Sequence, residues 1–339
     1  MDIKGQILSM ALKKGTLHSR DVAESLGISR QYSQRILKEL VEKELLVKVG
    51  STKAASYVLP KLADQVKWKF DKRLQNKNLA EHAVLEDIES RSQFRQLLTE
   101  NLKSIFEYAF SEMLNNAIDH SLSKNVHVQV EKRSGNLLFL VNDFGIGVFK
   151  NIMQKRKLKS DLEAIQDLLK GKTTTQPQAH SGEGIFFTSK VADIFILESF
   201  GKKLTINNTL NDIFIEDVKP SKKGTKVFFQ ISCASKKHLS DIFKEYQTDP
   251  TEFAFDKTEI QIKLYTLGTV HVSRSQARRV LSGLEKFKSI VLDFDKVPTI
   301  GQAFADEIFR VFRNSHPDIQ LQPIHMNETV RFWVERVGK

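Results

Sequence analysis

Apolar positions recur every three or four residues in three blocks near the start of the chain, 3–13, 20–26 and 30–42, and this period predicts three short helices. Ser19 and Ser29 stand where hydroxyls cap helix N-termini, and Gly27 provides the turn between the second and third blocks. That is helix-turn-helix spacing. On the third helix Ile36, Leu37, Leu40 and Val41 face inward, which leaves Arg30, Gln31, Tyr32, Gln34 and Arg35 outward on its first turns. Residues 45–49 and 54–59, joined through Gly50 and Lys53, predict a β-hairpin that carries Lys48 and Lys53.

Further along, residues 61–75 and 79–91 are charged and helical in character, predicting a helical connector over 61–79, with Phe94, Leu97 and Leu98 able to touch the next domain. A longer helix follows. Its apolar stripe is Phe106, Phe110, Met113 and Ala117; beside it Glu112, Asn116 and Asp119 fall at i, i+4 and i+7. The period then switches to two: 126–133 and 136–142 alternate around Ser134-Gly135, a hairpin whose second strand runs out at Asp143 into Gly145 and Gly147. Residues 149–180 read as a mobile lid, with the basic cluster Lys155, Arg156, Lys157 and Lys159, a helix over 161–170, then Gly171, Lys172 and Thr173. Ser181, Gly182 and Gly184 form a glycine loop opening a helix, and Gly224-Thr225 opens a strand over 226–231. The last third alternates strand 258–265, helix 273–287, strand 289–294, helix 302–314 and strand 319–323, which implies a small α/β domain.

Composition sets outer limits. A 339-residue chain with 40% hydrophobic residues has room for two or three domains. No apolar run approaches membrane-spanning length and the N-terminus has no signal-peptide pattern, so the expected location is cytoplasmic. The single Cys233 excludes an internal disulfide and a multi-cysteine zinc site, and nine histidines without paired spacing argue against a catalytic transition metal. A formal charge of +11 attracts polyanions. It matters most at the N-terminus, where guanidinium and amide groups suit guanine and adenine edges in a major groove and lysines suit phosphates; the same architecture also serves protein docking.

The central pieces carry nucleotide chemistry. The Asn116 amide oxygen suits Mg²⁺, and a carboxylate one turn earlier, Glu112, could orient or deprotonate water. Asp143 could accept a hydrogen bond from an adenine amino group while Gly145 and Gly147 let the backbone approach a flat base. Free N–H groups at the glycine loop would meet phosphate oxygens, with Lys172, Thr173 and Ser181 closing on them. Gly171-Lys172-Thr173 lacks the upstream glycine of a Walker loop. Each piece alone also fits a plain amphipathic helix, a strand-ending turn or a helix cap.

In this order the pieces resemble the GHKL ATPase superfamily over residues 80–232. The resemblance implies ATP and Mg²⁺ as ligands. It makes Glu112 the base and Asn116 the metal ligand, with Asp119 on the same face. Asp143, Gly145 and Gly147 become the adenine box, Gly182 and Gly184 the phosphate loop, and Thr225 a residue near the adenine. Residues 1–60 resemble bacterial winged helix-turn-helix regulators, and residues 245–339 resemble STAS domains through the strand-turn-helix string 290–310. In STAS partners of anti-sigma-factor kinases that helix begins with a phosphorylated serine. Here Gly301, Gln302 and Ala303 offer no hydroxyl and only Thr299 is nearby, which favours a domain that docks or senses. The fold class expected is multidomain α/β: N-terminal winged helix, central α/β sandwich of GHKL type and small C-terminal STAS-like domain. The function expected is an ATP-binding, slowly hydrolysing, DNA-binding transcriptional regulator. Its STAS-like domain would mediate self-association, as a homodimer, or capture of a protein partner. Two rivals remain: a serine/threonine kinase acting on a separate partner, and a non-catalytic scaffold.

Overall fold

The computed structural model describes residues 2–49, 55–60, 62, 68–92, 98–172, 183–249, 254–265 and 273–338. The N-terminal segment folds as α1 (Ile3–Lys14), β1 (Leu17–His18), α2 (Ser19–Leu26), α3 (Arg30–Glu42), β2 (Val47–Val49) and β3 (Ser56–Val58). The three strands form an antiparallel sheet in the order β1-β3-β2. Ile7, Ala11, Leu17, Val22, Ile36, Leu37 and Leu40 make one core, which is where the apolar period of the sequence points. The Ser29 hydroxyl accepts from the Tyr32 N–H at 3.1 Å, and Gly27 takes the left-handed conformation after α2. Ser19, expected as a cap, is instead the first residue of α2. Pairing of His18 with Ser56 holds His18 extended, so the cap shifts one residue upstream and the His18 N–H donates to the Asp21 carboxylate at 3.2 Å.

The chain continues as β4 (Trp68–Gln75), α4 (Glu81–Ser92), α5 (Glu100–His120), β5 (Asn125–Arg133), β6 (Asn136–Asp143), α6 (Val148–Lys155), α7 (Asp161–Leu169), α8 (Gly184–Val191), β7 (Ile194–Ser199), β8 (Lys202–Asn207), β9 (Asp212–Asp217) and β10 (Thr225–Ser232). Seven strands form an antiparallel sheet in the order β4-β5-β6-β10-β7-β8-β9. Trp68–Gln75, expected within a helical connector, is its first strand. Trp68 and Phe70 point to the core while Lys69, Asp71 and Arg73 face out, a period of two, and a ladder along the whole strand pairs its inner edge with β5. Along α5, Phe106, Phe110, Met113 and Ala117 are buried as expected. Phe110 meets Phe139 edge-on at 5.6 Å, and Phe139 stacks on Phe229 at 4.7 Å, tying the helix to the middle of the sheet. Phe94 and Leu97 lie outside the described residues; Leu98 is buried.

Residues 1–148 with 188–238 form one compact unit; residues 149–187, which carry most of α6, α7 and the start of α8, form a second with 239–339. The second unit adds α9 (Leu239–Glu245), β11 (Lys257–Gln261), a 3-10 turn (Ile262–Tyr265), α10 (Arg274–Leu281), β12 (Ser289–Asp293), α11 (Gln302–Asp306), which runs through a π turn (Glu307–Phe312) into α12 (Arg313–Ser315), β13 (Gln320–Ile324) and α13 (Glu328–Val337). Its three strands are parallel with buried β12 in the middle. The expected strand over 258–265 ends at Gln261. Leu264 and Tyr265 are adjacent and both buried, which a strand with one packed face cannot provide but a tight helical turn can. The expected helix over 273–287 ends at Leu281, because Gly283 adopts φ +79° two residues later.

α7 and most of α6 fold with the C-terminal segment. The expected lid is thus largely helical where it is described. Among the described residues no helix is long and apolar enough to cross a membrane.

Candidate functional site

The alternation of β6 ends on Asp143, only 4% exposed. Its Oδ1 accepts from the Gly145 N–H at 2.9 Å and the Thr225 N–H at 3.1 Å, so one carboxylate fastens the turn after β6 to the start of β10. Burial pushes this carboxyl above its ordinary value, against the opposing pull of those donors. The Thr225 hydroxyl accepts from the Val148 N–H at 2.9 Å, carrying the fastening into α6. Three glycines let backbones meet here. A Cβ on Gly145 would lie 1.7 Å from the Ser121 carbonyl oxygen. At Gly147, where φ is +80°, it would meet the Ser199 hydroxyl at 2.4 Å, and at Gly224, where φ is +91°, the Asp143 carbonyl oxygen at 2.2 Å.

The end of α5 is sewn to this turn. Ser121 carbonyl accepts from Ile146 N–H at 2.9 Å, and the Ser123 hydroxyl accepts from Phe144 N–H at 3.1 Å. Asn76 donates from its amide to the Ile118 and Ser123 carbonyls at 3.1 and 3.0 Å, and Arg73 lies over the Phe144 ring at 4.8 Å. Sequence reasoning missed Asn76, Ser121, Ser123 and Ser199. The Ser-x-Ser pair between a helix and a strand was the one local signal of them. On the polar stripe of α5, Glu112 and Asn116 are half-buried and Asp119 is exposed. A half-buried carboxylate and amide one turn apart, on a helix whose end is bonded to the Asp143 turn, suit water orientation and a hard metal ion; the buried acceptor among glycine backbones suits a flat amino-bearing base.

The phosphate-side expectations fare differently. Gly184 is buried and opens α8, as expected. Thr173, Ser181 and Gly182 lie outside the described residues. Lys172, expected to close on phosphates, has its ammonium over the Phe255 and Phe287 rings at 5.5 and 5.1 Å, and this burial lowers its pKa from the ordinary lysine value.

On α3, Arg30, Gln31, Tyr32, Gln34 and Arg35 are all exposed, and the Arg35 guanidinium stacks over the Tyr32 ring at 4.8 Å. Ser33, between them, turns inward and donates to the Ser19 carbonyl at 2.8 Å, which anchors this helix on α2. Lys48 is half-buried on β2, and Lys53 lies outside the described residues.

Three family models match successive regions of the chain. A winged helix-turn-helix DNA-binding model matches residues 2–47, a histidine kinase-, DNA gyrase B- and HSP90-like ATPase model matches residues 102–235, and a STAS-like domain of unknown function matches residues 276–331. No curated protein matches the chain. The ATPase match takes in Glu112, Asn116, Asp143 and Thr225 and extends across α6 and α7. The chain therefore joins a winged helix of the DNA-binding type, an ATP-binding module of the GHKL type and a STAS-like module in one polypeptide.

Proposed function

We propose that the protein is a DNA-binding transcriptional regulator whose affinity for DNA or a partner follows the nucleotide state of its ATPase module. The observation that carries this reading is Asp143, a buried carboxylate fixed between two backbone donors at the mouth of a glycine turn. An adenine amino group donates to this carboxylate, which the Gly145 N–H and the close-packed turn through Gly147 hold in place. Asn116 offers the protein oxygen for Mg²⁺, which when bound neutralises phosphate charge and retains most of its waters. Glu112 orients a water whose oxygen attacks the γ-phosphorus; the bond to the β–γ bridging oxygen breaks, ADP and phosphate leave, and the water proton passes to the Glu112 carboxylate. Gly184, at the start of α8, is assigned to the phosphate side. The nucleotide-bound conformation differs in its presentation of α3 to DNA, which requires ATP to bind that conformation more tightly than the alternative.

Calorimetric titration with Mg·ATP tests the site. Asn116→Ala should weaken Mg²⁺-dependent binding, and unchanged affinity removes Asn116 as ligand. Glu112→Ala should bind normally yet release no phosphate; full turnover removes it as the base. Transfer of labelled γ-phosphoryl to protein, instead of release as free phosphate, would move the reading to a protein kinase. Arg35→Ala should weaken a DNA complex by about 1–3 kcal/mol if it reads a base edge. No gel shift with the unmutated chain would make the winged helix a protein-docking module.

A further inference from the structure

Segment 161–172 of the ATPase match is held by the C-terminal fold through reciprocal bonds. The Gln166 amide donates to the Leu264 carbonyl at 2.7 Å, and the Tyr265 hydroxyl donates back to the Gln166 carbonyl at 3.0 Å. Just past α7, Lys170, only 3% exposed, donates to the carbonyls of Arg279 and Ser282 at 2.9 and 2.6 Å. Those groups sit at the C-terminal end of α10, where carbonyls lack intrahelical partners and a cation is favoured. A lysine of the ATPase match thus caps a helix of the STAS-like match. Thr258 donates to the Lys170 carbonyl at 2.8 Å, and Lys286 donates to the Lys172 carbonyl at 2.6 Å.

Phe255 is touched from both sides of residues 173–182. A Cβ on Gly171 would come within 2.6 Å of its ring, and Phe186 packs on it at 4.8 Å. The Lys172 ammonium lies over this ring and that of Phe287, and the charges of Glu183 and Asp256 also attract it. Contact with two ring faces is a weak anchor for a cation, and phosphate oxygens would compete for it strongly. The bonds of Lys170 and Gln166 lie deeper, so the helix can stay seated while Lys172 exchanges partners.

We propose that the STAS-like module works in cis. Its partner is the chain's own α7–Lys172 segment, received on the end of α10, the Ile262–Tyr265 turn and the Phe255–Phe287 pair, and by retaining Lys172 it sets the affinity of the nucleotide site. The proposal rests on the reading of Lys172 as a phosphate-side residue of a GHKL site.

Two measurements on the full chain test it. The first needs no nucleotide: Tyr265→Phe and Lys170→Met, each, should speed amide hydrogen exchange in α7 about tenfold while leaving exchange in α3 unchanged. Unchanged rates in α7 would overturn the proposal whether or not ATP binds. The second is a double-mutant cycle read by Mg·ATP titration. Phe287→Leu should tighten binding about two- to fivefold by freeing the ammonium, and the same change in a Lys172→Met background should do nothing. Equal tightening in both backgrounds, or none in either, would overturn it. Absence of any ATP binding would instead refute the nucleotide reading, and the exchange rates would still judge the cis contact.

Discussion

Around Asp143 the contacts are made largely by backbone: N–H groups of Gly145 and Thr225 on the carboxylate, the Ser121 carbonyl against Gly145 and Ile146, and the Asp143 carbonyl against Gly224. Around Lys172 they are made by long side chains, with lysines reaching carbonyls and an ammonium resting on two rings. Backbone packed on backbone cannot yield without moving whole elements, whereas a lysine exchanges partners by rotating its stem. The surroundings of Asp143 are suited to recognising a fixed shape, those of Lys172 to responding to charge.

The largest effect should come from breaking the rigid region. In Gly145→Ala the new methyl falls 1.7 Å from the Ser121 carbonyl oxygen, so α5 or the turn must shift. A loss of about 3–5 kcal/mol is expected, read by denaturant unfolding. A loss below about 1 kcal/mol would show that this region yields as readily as the other. Next, Asp143→Asn exchanges a buried carboxylate for an amide of similar shape and should cost about tenfold or more in Mg·ATP affinity. It should also remove a pH effect. The folded carboxyl titrates above its ordinary value, so the unmutated protein loses stability as pH rises from the ordinary carboxyl range through the raised one and is level above it. Urea midpoints across that range check the sign.

The exchangeable region should give slopes of the opposite sign. Burial lowers Lys170 and Lys286 to about 8, so between about pH 8 and 10.5 the unfolded chain holds more protons than the folded one and stability should rise with pH. Lys170→Met should flatten part of that rise, seen as a smaller shift in thermal midpoint between the two pH values. Smallest of all, Ser160→Ala removes the hydroxyl that accepts from the Glu163 N–H at the start of α7. It should cost about 1 kcal/mol, with faster exchange confined to that helix. Spread of the effect to β6 would show that the two regions are not separable.

Where a feature depends on neighbours along the chain, the sequence was readable. Ser29 capping α3, Gly27 ending α2, and β6 running through alternating Leu137, Phe139 and Val141 to Asp143 are all local patterns. The strand Trp68–Gln75 was misread because its outward charges mask a two-residue period carried mainly by Trp68 and Phe70. The sheet's other edge hid for the same reason: β8 and β9 each carry only a few apolar positions among lysines, aspartates and asparagines. What no local pattern could give is the partnership of Lys170 with carbonyls 109 and 112 residues later, which moves α7 into the C-terminal fold. Likewise a lysine between a glycine and a threonine suggests phosphate, and only the distant Phe255 and Phe287 show where its ammonium rests.

The central claim is that the Asp143 turn receives the base of a nucleotide. Its most direct measurement is calorimetric titration of the unmutated chain and of Asp143→Asn with Mg·ATP under identical conditions. Saturable one-site binding that weakens at least tenfold in the variant, with thermal unfolding showing the variant still folded, is the predicted result. Equal affinity in the two proteins, or no heat from either, would contradict it.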